Sequence, residues 1–141
     1  MTNQELIDAA IQASKKAYTP YSGFKVGAAL EAEDGTVFTG CNIENASFTP
    51  TVCAERVALF SAVKEGTKKF RKVAIVGSKT DVFDKHTYPC GVCRQALSEF
   101  CGPDFLIITT DGKTIKETPL SELIPYTFTS VDLLEQNDEN L

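Results

Sequence analysis

Two short segments contain the residues best suited to chemistry. The first is Cys53-Ala54-Glu55, and the second is Pro89-Cys90-Gly91-Val92-Cys93. In a Cys-x-x-Cys turn that opens a helix, both sulfur atoms can reach one metal ion. A third cysteine completes a set of three ligands, and zinc prefers four in a tetrahedron, so the fourth position is left for water. Three thiolates with an open position indicate a catalytic zinc site rather than a structural one.

The residues that follow Cys53 suit the same site. Both segments stand at the start of predicted helices, where free backbone N–H groups and the positive end of the helix dipole stabilise thiolates. Three thiolates give a zinc site a net negative charge, and Arg56 is placed to offset part of it by hydrogen bonding to a ligand sulfur. Glu55 could move protons between water and a substrate nitrogen, provided that burial raises its pKa. Taken alone, Glu55 could also be an acid that only favours the helix dipole, and Arg56 a surface residue.

Apolar periodicity and turn signals predict the elements that hold these segments. Thr2 and Glu5 form a capping-box signature for a first helix, whose apolar face reaches Ala17. Asp34-Gly35 predicts a hairpin between two strands. The later predicted helices are Ala54–Lys64, capped by Gly66, and Gly91–Phe100. The predicted strands are 26–32, Val37–Cys41, 73–77, 105–109 and 114–118, followed by a short turn at Leu120–Leu123.

The resulting order, α-β-β-α-β-α-β-β, determines the fold class that we expect. Strand–helix–strand units around the third and fourth strands need crossover connections, so part of the sheet is parallel and helices cover its faces. We therefore predict an α/β fold, a three-layer α/β/α sandwich with a mixed five-stranded sheet. Residues 1–141 are predicted to form a single catalytic domain, with residues 136–141 as a frayed tail.

Composition and charge disfavour several classes of function. Of the 141 residues, 43% are hydrophobic and 23% are charged, as in an ordinary globular domain. The net charge of −5 disfavours a nucleic-acid partner. No apolar stretch approaches the ~20 residues that span a bilayer, and the polar segment Met1-Thr2-Asn3-Gln4-Glu5 lacks the features of a signal peptide. With an odd number of cysteines, these features predict a location in the reducing cytoplasm.

With these motifs the sequence resembles a known family, the small, homotetrameric, zinc-dependent cytidine deaminases. The Cys-x-Glu and Pro-Cys-x-x-Cys pair is the signature of zinc-dependent nucleobase deaminases, for which three cysteine ligands are an allowed set. The resemblance covers residues 18–101, with a looser match onward to Phe128. The matching segments are Tyr21-Ser22-Gly23-Phe24-Lys25-Val26-Gly27-Ala28-Ala29-Leu30, Gly40-Cys41-Asn42-Ile43-Glu44-Asn45-Ala46, Cys53-Ala54-Glu55-Arg56 and Pro89-Cys90-Gly91-Val92-Cys93-Arg94-Gln95.

The resemblance implies a function and a role for each matching residue. It implies hydrolytic deamination of cytidine and 2′-deoxycytidine to uridine and 2′-deoxyuridine plus ammonia, in pyrimidine salvage. One zinc per subunit would be held by Cys53, Cys90 and Cys93, and Glu55 would move protons. The implied substrate contacts are Phe24 on the pyrimidine ring, Val26 beside it, Asn42 and Glu44 on the sugar hydroxyls, and the backbone of Ala46 and Ala54 on the base edge. Phe128 would reach into the active site of a neighbouring subunit of a homotetramer.

Two positions depart from the pattern of the resembled family. Phe48 stands where tyrosine is usual, so a hydroxyl hydrogen bond is missing and the local subunit contact is expected to differ. Val92 replaces the usual small residue between the paired cysteines and is expected to add bulk beside the metal. Neither position is a predicted ligand, so we expect altered tuning rather than loss of activity.

Three other readings of the same motifs stay open from the sequence. A polynucleotide deaminase would share the zinc chemistry but would need a basic groove. A non-enzymatic zinc module would use Cys101 as a fourth ligand and close the site. A deaminase of a related aminopyrimidine nucleoside, such as an antibiotic, would share the whole motif.

The remaining reactive or charged residues are assigned structural roles. Cys41 and Cys101 are expected to be small buried thiols, and His86 an exposed loop residue. The basic run 68–72 is expected to be a solvated connection between a helix and a strand.

Overall fold

Helices and strands follow one another in the order that the sequence pattern predicts. The computed structural model describes residues 1–134, so the predicted tail at 136–141 lies outside the described residues. The helices are α1 (Asn3–Ser14), α2 (Ala54–Lys64), α3 (Gly91–Phe100), α4 (Leu120–Leu123) and α5 (Ser130–Leu133). The strands are β1 (Lys25–Ala32), β2 (Val37–Cys41), β3 (Phe70–Ser78), β4 (Leu106–Thr110) and β5 (Ile115–Pro119).

The strands of the described chain form one mixed five-stranded sheet, in the order β2-β1-β3-β4-β5. Strand β1 pairs antiparallel with both β2 and β3, and β4 pairs antiparallel with β5. Strands β3 and β4 run parallel, because the chain crosses from one to the other through α3. The predicted mixed sheet is therefore confirmed, and β5 lies at one of its edges.

Helices cover both faces of the sheet, which gives the predicted three layers. On one face, α1 packs through Leu6, Ile7 and Ala10 against Ala29 of β1 and Ile108 of β4. On the other face, a second apolar cluster joins α2, α3 and α4 to the alternate residues of the same strands. The members of this cluster include Leu30, Leu59, Val73, Ile75, Leu97, Ile107 and Leu120. Each fully buried side chain of this size contributes about 1.5–3 kcal/mol, so the second cluster holds α2 and α3 firmly side by side.

Several element boundaries are set by local chemistry that the sequence shows. Thr2 accepts a hydrogen bond from the N–H of Glu5 in the predicted capping box. Helix α2 ends where predicted, and Gly66 follows it at a φ of +91°, a left-handed conformation that favours glycine. These two features confirm that the start of α1 and the end of α2 are specified locally.

Apart from one-residue shifts at the ends of β1, β3, β4 and β5, three features of the fold differ from the predictions. Helix α1 ends at Ser14, so Ala17 lies beyond it. Strand β3 begins at Phe70, so the second half of the basic run 68–72 lies in a strand and not in a connection. Helix α5 was not predicted, because four residues are too few to show helical periodicity. Within residues 1–134, no helix is long and apolar enough to span a membrane.

Candidate active site

Two helix starts meet at the candidate site. Cys53 is the N-cap residue of α2 and Cys90 is the N-cap residue of α3, and both have extended backbone conformations. Neither cysteine side chain caps its own helix by a hydrogen bond. Because the cysteines occupy the cap positions, the positive ends of both helix dipoles point toward the same sulfur atoms, as the motif positions predict.

Three cysteine sulfurs form a cluster at this meeting point. The Sγ atom of Cys90 lies 3.6 Å from that of Cys53 and 3.6 Å from that of Cys93. All three sulfurs lie within 4.8 Å of one another. Tetrahedral zinc–sulfur bonds of about 2.3 Å place sulfurs about 3.8 Å apart, so the cluster has the spacing that zinc requires. Three soft sulfur ligands are also a set that favours zinc over magnesium or calcium.

Arg56 supplies the positive charge beside the sulfurs. Its Nη2 atom donates a hydrogen bond to Cys53 Sγ at 3.5 Å. Hydrogen bonding to Cys93, together with the charge and hydrogen bond of Arg56, lowers the pKa of Cys53. The cluster therefore favours a thiolate, the form that binds metal. The buried Nε atom of Arg56 has no hydrogen-bond partner within the described chain.

The first turn of α2 packs unusually close to the sheet. A Cβ atom at Gly40 of β2 would lie 2.3 Å from the carbonyl oxygen of Ala54 and 2.6 Å from the amide nitrogen of Ala58. Only glycine allows this approach, because any side chain at residue 40 would overlap the helix backbone. Gly40 therefore fixes the depth at which α2 presents Cys53 and Glu55.

Glu55 is buried next to the sulfur cluster. Only 4% of its surface is exposed. Burial, with a smaller effect from the neighbouring Cys53 thiolate, raises the pKa of Glu55 to about 7. A carboxyl group with a pKa near neutrality can both accept and donate a proton at physiological pH. Burial therefore gives Glu55 the raised pKa that proton transfer to and from a substrate requires.

The comparisons with known proteins agree with this geometry. The family model for the cytidine and deoxycytidylate deaminase zinc-binding region matches residues 1–109. The chain belongs to this deaminase family. It is 43% identical over 134 residues to a cytidine deaminase of Sporosarcina psychrophila, covering 94% of this chain and 96% of that protein. The crystal structure of cytidine deaminase from Burkholderia pseudomallei is 44% identical, with a TM-score of 0.83, and the match covers 91% of this chain and 100% of that one.

One relative of this deaminase is named for a substrate other than cytidine. A blasticidin-S deaminase of Bacillus cereus is 35% identical over 108 residues, covering 74% of this chain and 76% of that protein. Relatives named for two different substrates, cytidine and blasticidin S, therefore share this range of sequence similarity to the chain.

Asn42, the residue after β2, is hydrogen bonded to the backbone at the start of β1. The Oδ1 atom of Asn42 accepts a hydrogen bond from the N–H of Val26 at 2.8 Å, and its Nδ2 donates to the carbonyl oxygen of Phe24 at 2.8 Å. Each of these atoms can form one further hydrogen bond. Asn42 therefore holds Phe24 and Val26 in place and keeps one donor and one acceptor for a ligand.

The other predicted substrate contacts lie on loops and at a helix start. Ala54 is buried as the first residue of α2, and Ala46 is exposed in the loop that precedes this helix. Glu44 lies in the same loop, and a hydrogen bond from the Ser22 hydroxyl lowers the pKa of its carboxyl group. Phe128 is 56% exposed, and its carbonyl oxygen accepts a hydrogen bond from Gln95 of α3 at 2.8 Å.

Both departures from the family pattern lie at the surface of the described chain. Phe48 is 82% exposed and Val92 is 60% exposed. The added bulk of Val92 points largely to solvent, so the expected crowding of the metal site by this residue is small.

Cys101 and His86 lie outside the sulfur cluster in the described residues. Cys101 is buried, and burial raises the pKa of its thiol to about 12, so it is an inert core residue as expected. The prediction for His86 was wrong, because its ring is half-buried and its Nδ1 atom is hydrogen bonded to the Thr109 hydroxyl at 2.7 Å. This contact joins the loop before Cys90 to β4, and the sequence carries no local signal for it.

Proposed function

We propose that the protein catalyses the hydrolytic deamination of cytidine and 2′-deoxycytidine to uridine and 2′-deoxyuridine, with release of ammonia. The observation that carries this proposal is the buried Glu55 beside three clustered sulfurs at two helix starts. Membership of the cytidine and deoxycytidylate deaminase family supports it. Its similarity to cytidine deaminases supports the free nucleoside as the substrate.

The cysteines are proposed to hold one zinc ion per subunit. Cys53, Cys90 and Cys93 would bind it as thiolates, and Arg56 would offset part of their negative charge. Bound there, zinc would supply an activated water molecule as the nucleophile for attack on C4 of the base.

Glu55 is proposed to move the protons of the reaction. It accepts a proton from the attacking water and delivers it to N3 of the cytosine ring, which makes C4 more electrophilic. It then carries the second proton of the water to the exocyclic nitrogen, and the C4–N4 bond breaks to release ammonia. A pKa of about 7 suits both directions of transfer, because neither protonation state is strongly disfavoured at neutral pH.

The surrounding residues are proposed to position the nucleoside. Phe24 packs on the pyrimidine ring and Val26 lines the pocket beside it. The backbone groups of Ala46 and Ala54 contact the polar edge of the base, and the place of Ala54 in the first turn of α2, where N–H groups have no partner within the helix, supports this assignment. The remaining hydrogen-bonding capacity of Asn42 and the anionic carboxylate of Glu44 suit the sugar hydroxyls.

We also propose a homotetramer in which Phe128 reaches the active site of a neighbouring subunit. Large exposed aromatic side chains support an assembly, since monomers seldom expose so many. These side chains are Tyr18, Tyr21, Phe48, Phe60, Tyr126 and Phe128. Light scattering tests the assembly, and Phe128→Ala is expected to raise KM for cytidine.

The five free cysteines support the cytoplasm as the location.

The likeness to a blasticidin-S deaminase favours one second candidate. A related aminopyrimidine nucleoside, such as an antibiotic, would use the same proton transfers at N3 and N4. The substrates are distinguished by the group that replaces the ribose, which would face Asn42 and Glu44.

The test is turnover by the purified protein. Cytidine, blasticidin S and a single-stranded cytosine oligonucleotide are incubated separately with the protein, with and without a chelator. We expect loss of cytosine absorbance and release of ammonia with cytidine, and no reaction after chelation. Turnover of only the oligonucleotide would contradict a nucleoside enzyme, and turnover of only blasticidin S would support the second candidate.

A further inference from the structure

The hydroxyl group of Ser22 lies between the residue assigned to the sugar and the residue assigned to the base. It donates a hydrogen bond to Oε2 of Glu44 and accepts one from the backbone N–H of Phe24 at 2.9 Å. A serine hydroxyl has one proton and two lone pairs, so both bonds form at once. Ser22 therefore links Glu44 directly to Phe24.

The carboxylate of Glu44 is held in one orientation by this segment. Its Oε1 atom accepts hydrogen bonds from the N–H groups of Tyr21 at 2.9 Å and Ser22 at 3.1 Å. Together with the Ser22 hydroxyl, three donors occupy three of the roughly four lone-pair sites of a carboxylate. One acceptor direction, on Oε2, is left for a ligand.

The frame around Ser22 is built from backbone contacts. The N–H of Tyr18 donates to the carbonyl oxygen of Asn42 at 3.0 Å, and the N–H of Glu44 donates to that of Tyr18 at 2.9 Å. Gly23 follows Ser22 at a φ of +69°, a conformation that favours glycine and turns the chain back toward Phe24. The Ser22 hydroxyl is thus presented by a fixed turn rather than by a free loop.

We propose that Ser22 is a positioning residue that determines how strongly the enzyme requires the 3′-hydroxyl of its substrate. The Ser22 hydroxyl fixes the carboxylate of Glu44 so that its free lone pair points toward the 3′-hydroxyl. The same hydroxyl accepts the hydrogen bond from the N–H of Phe24, the residue assigned to stacking on the base. This inference rests on the proposed function, because Glu44 is assigned to the sugar there. Without the Ser22 hydroxyl, Oε2 of Glu44 loses a donor and the carboxylate is free to rotate away from the sugar.

The experiment uses two substrates that differ only in the 3′-hydroxyl, 2′-deoxycytidine and 2′,3′-dideoxycytidine. We expect Ser22→Ala to raise KM for 2′-deoxycytidine about tenfold, since hydrogen bonds to charged groups are worth that much or more. We expect KM for 2′,3′-dideoxycytidine to rise much less, and kcat for both to stay within about twofold. The preference for the 3′-hydroxyl therefore falls about tenfold. Ser22→Thr keeps a hydroxyl and is expected to restore most of the preference, while Ser121→Ala, an exposed serine of α4, serves as the matched control.

The outcomes separate this inference from the proposed function. An equal rise of KM for both substrates, or an unchanged preference in Ser22→Ala, overturns the role of Ser22. Wild-type protein that deaminates neither nucleoside contradicts the proposed function instead. In that case, calorimetry measures the affinity for 2′-deoxyuridine and for 2′,3′-dideoxyuridine and so tests Ser22 by binding alone. If the ratio of these two affinities is the same in wild type and in Ser22→Ala, the inference is overturned.

Discussion

The ring of Phe24 lies directly against the backbone of Gly77, near the end of β3. A Cβ atom at residue 77 would lie 2.6 Å from Phe24 Cζ and 3.0 Å from the Thr87 hydroxyl oxygen. The strand, the ring and the loop that leads to Cys90 therefore meet at one point that has no room for a methyl group. The position of Phe24 depends on this glycine as well as on Asn42.

Gly77→Ala is expected to displace the Phe24 ring from the position in which it can stack on a pyrimidine. Overpacking of this kind typically costs about 1–3 kcal/mol of folding stability, so we expect the melting temperature to fall. Because an aromatic contact is worth about 0.5–1.5 kcal/mol, loss of ring stacking is expected to raise KM for cytidine by up to about tenfold. Steady-state kinetics and thermal unfolding measure the two effects. Gly102→Ala is the control, because a Cβ there would meet no atom within 4 Å. An unchanged KM would show that Phe24 does not stack on the base.

Features that depend on neighbouring residues in the sequence were predictable. The starts of α2 and α3, at Ala54 and Gly91, and the bounds of β2 are confirmed, because caps and turn residues specify them locally. The meeting of the three cysteines followed from two helix-start motifs, although their roles stay predictions. The remaining contacts join residues far apart in the chain, as Ser22 with Glu44 and His86 with Thr109 do. Such contacts depend on how loops fold over the sheet, which no local pattern records.

Glu55→Gln is expected to keep zinc and lose nearly all turnover. Glutamine has a similar shape but cannot exchange a proton, so kcat is expected to fall by about 10²–10⁴-fold or more. Metal analysis and steady-state kinetics check both parts. Glu65→Gln alters an exposed glutamate at the end of the same helix and is expected to leave kcat unchanged. Retention of wild-type kcat by Glu55→Gln would remove its assigned role in proton transfer.

Arg56→Gln is expected to weaken catalysis by leaving more negative charge at the sulfurs. Loss of a group that contacts a metal ligand typically costs about 10–100-fold in affinity or activity. Because the added negative charge holds protons more tightly, the pH–rate profile is expected to move to higher pH. Arg56→Lys keeps the charge and is expected to recover part of the activity. A pH–rate profile identical to that of the wild type would count against charge compensation by Arg56.

The turn between β4 and β5 is expected to lose stability in acid because of Asp111. Hydrogen bonds from the N–H groups of Thr114 and Lys113 lower the pKa of Asp111 to about 2. A folded pKa below the unfolded value of about 3.9 means that the stabilisation is complete at higher pH and is lost as the pH falls through about 2. Asp111→Asn should therefore be less stable than wild type at neutral pH, and the difference should shrink between about pH 4 and pH 2. Urea unfolding at several pH values measures this, and a constant difference across that range would contradict it. The exposed Asp104 provides the control variant Asp104→Asn.

Cys101 distinguishes an open metal site from a closed one. Its thiol is buried in the apolar cluster with Leu97 and Phe105, whereas Cys93 lies in the sulfur cluster. We expect Cys101→Ser to retain one zinc per chain and its turnover, and Cys93→Ser to lose both. Zinc content, together with the melting temperature before and after chelation, measures the difference, because metal bound to the folded state raises its stability. If Cys101→Ser remains folded but loses zinc, four cysteines surround the ion. A site closed in this way has no position left for the water that hydrolysis needs.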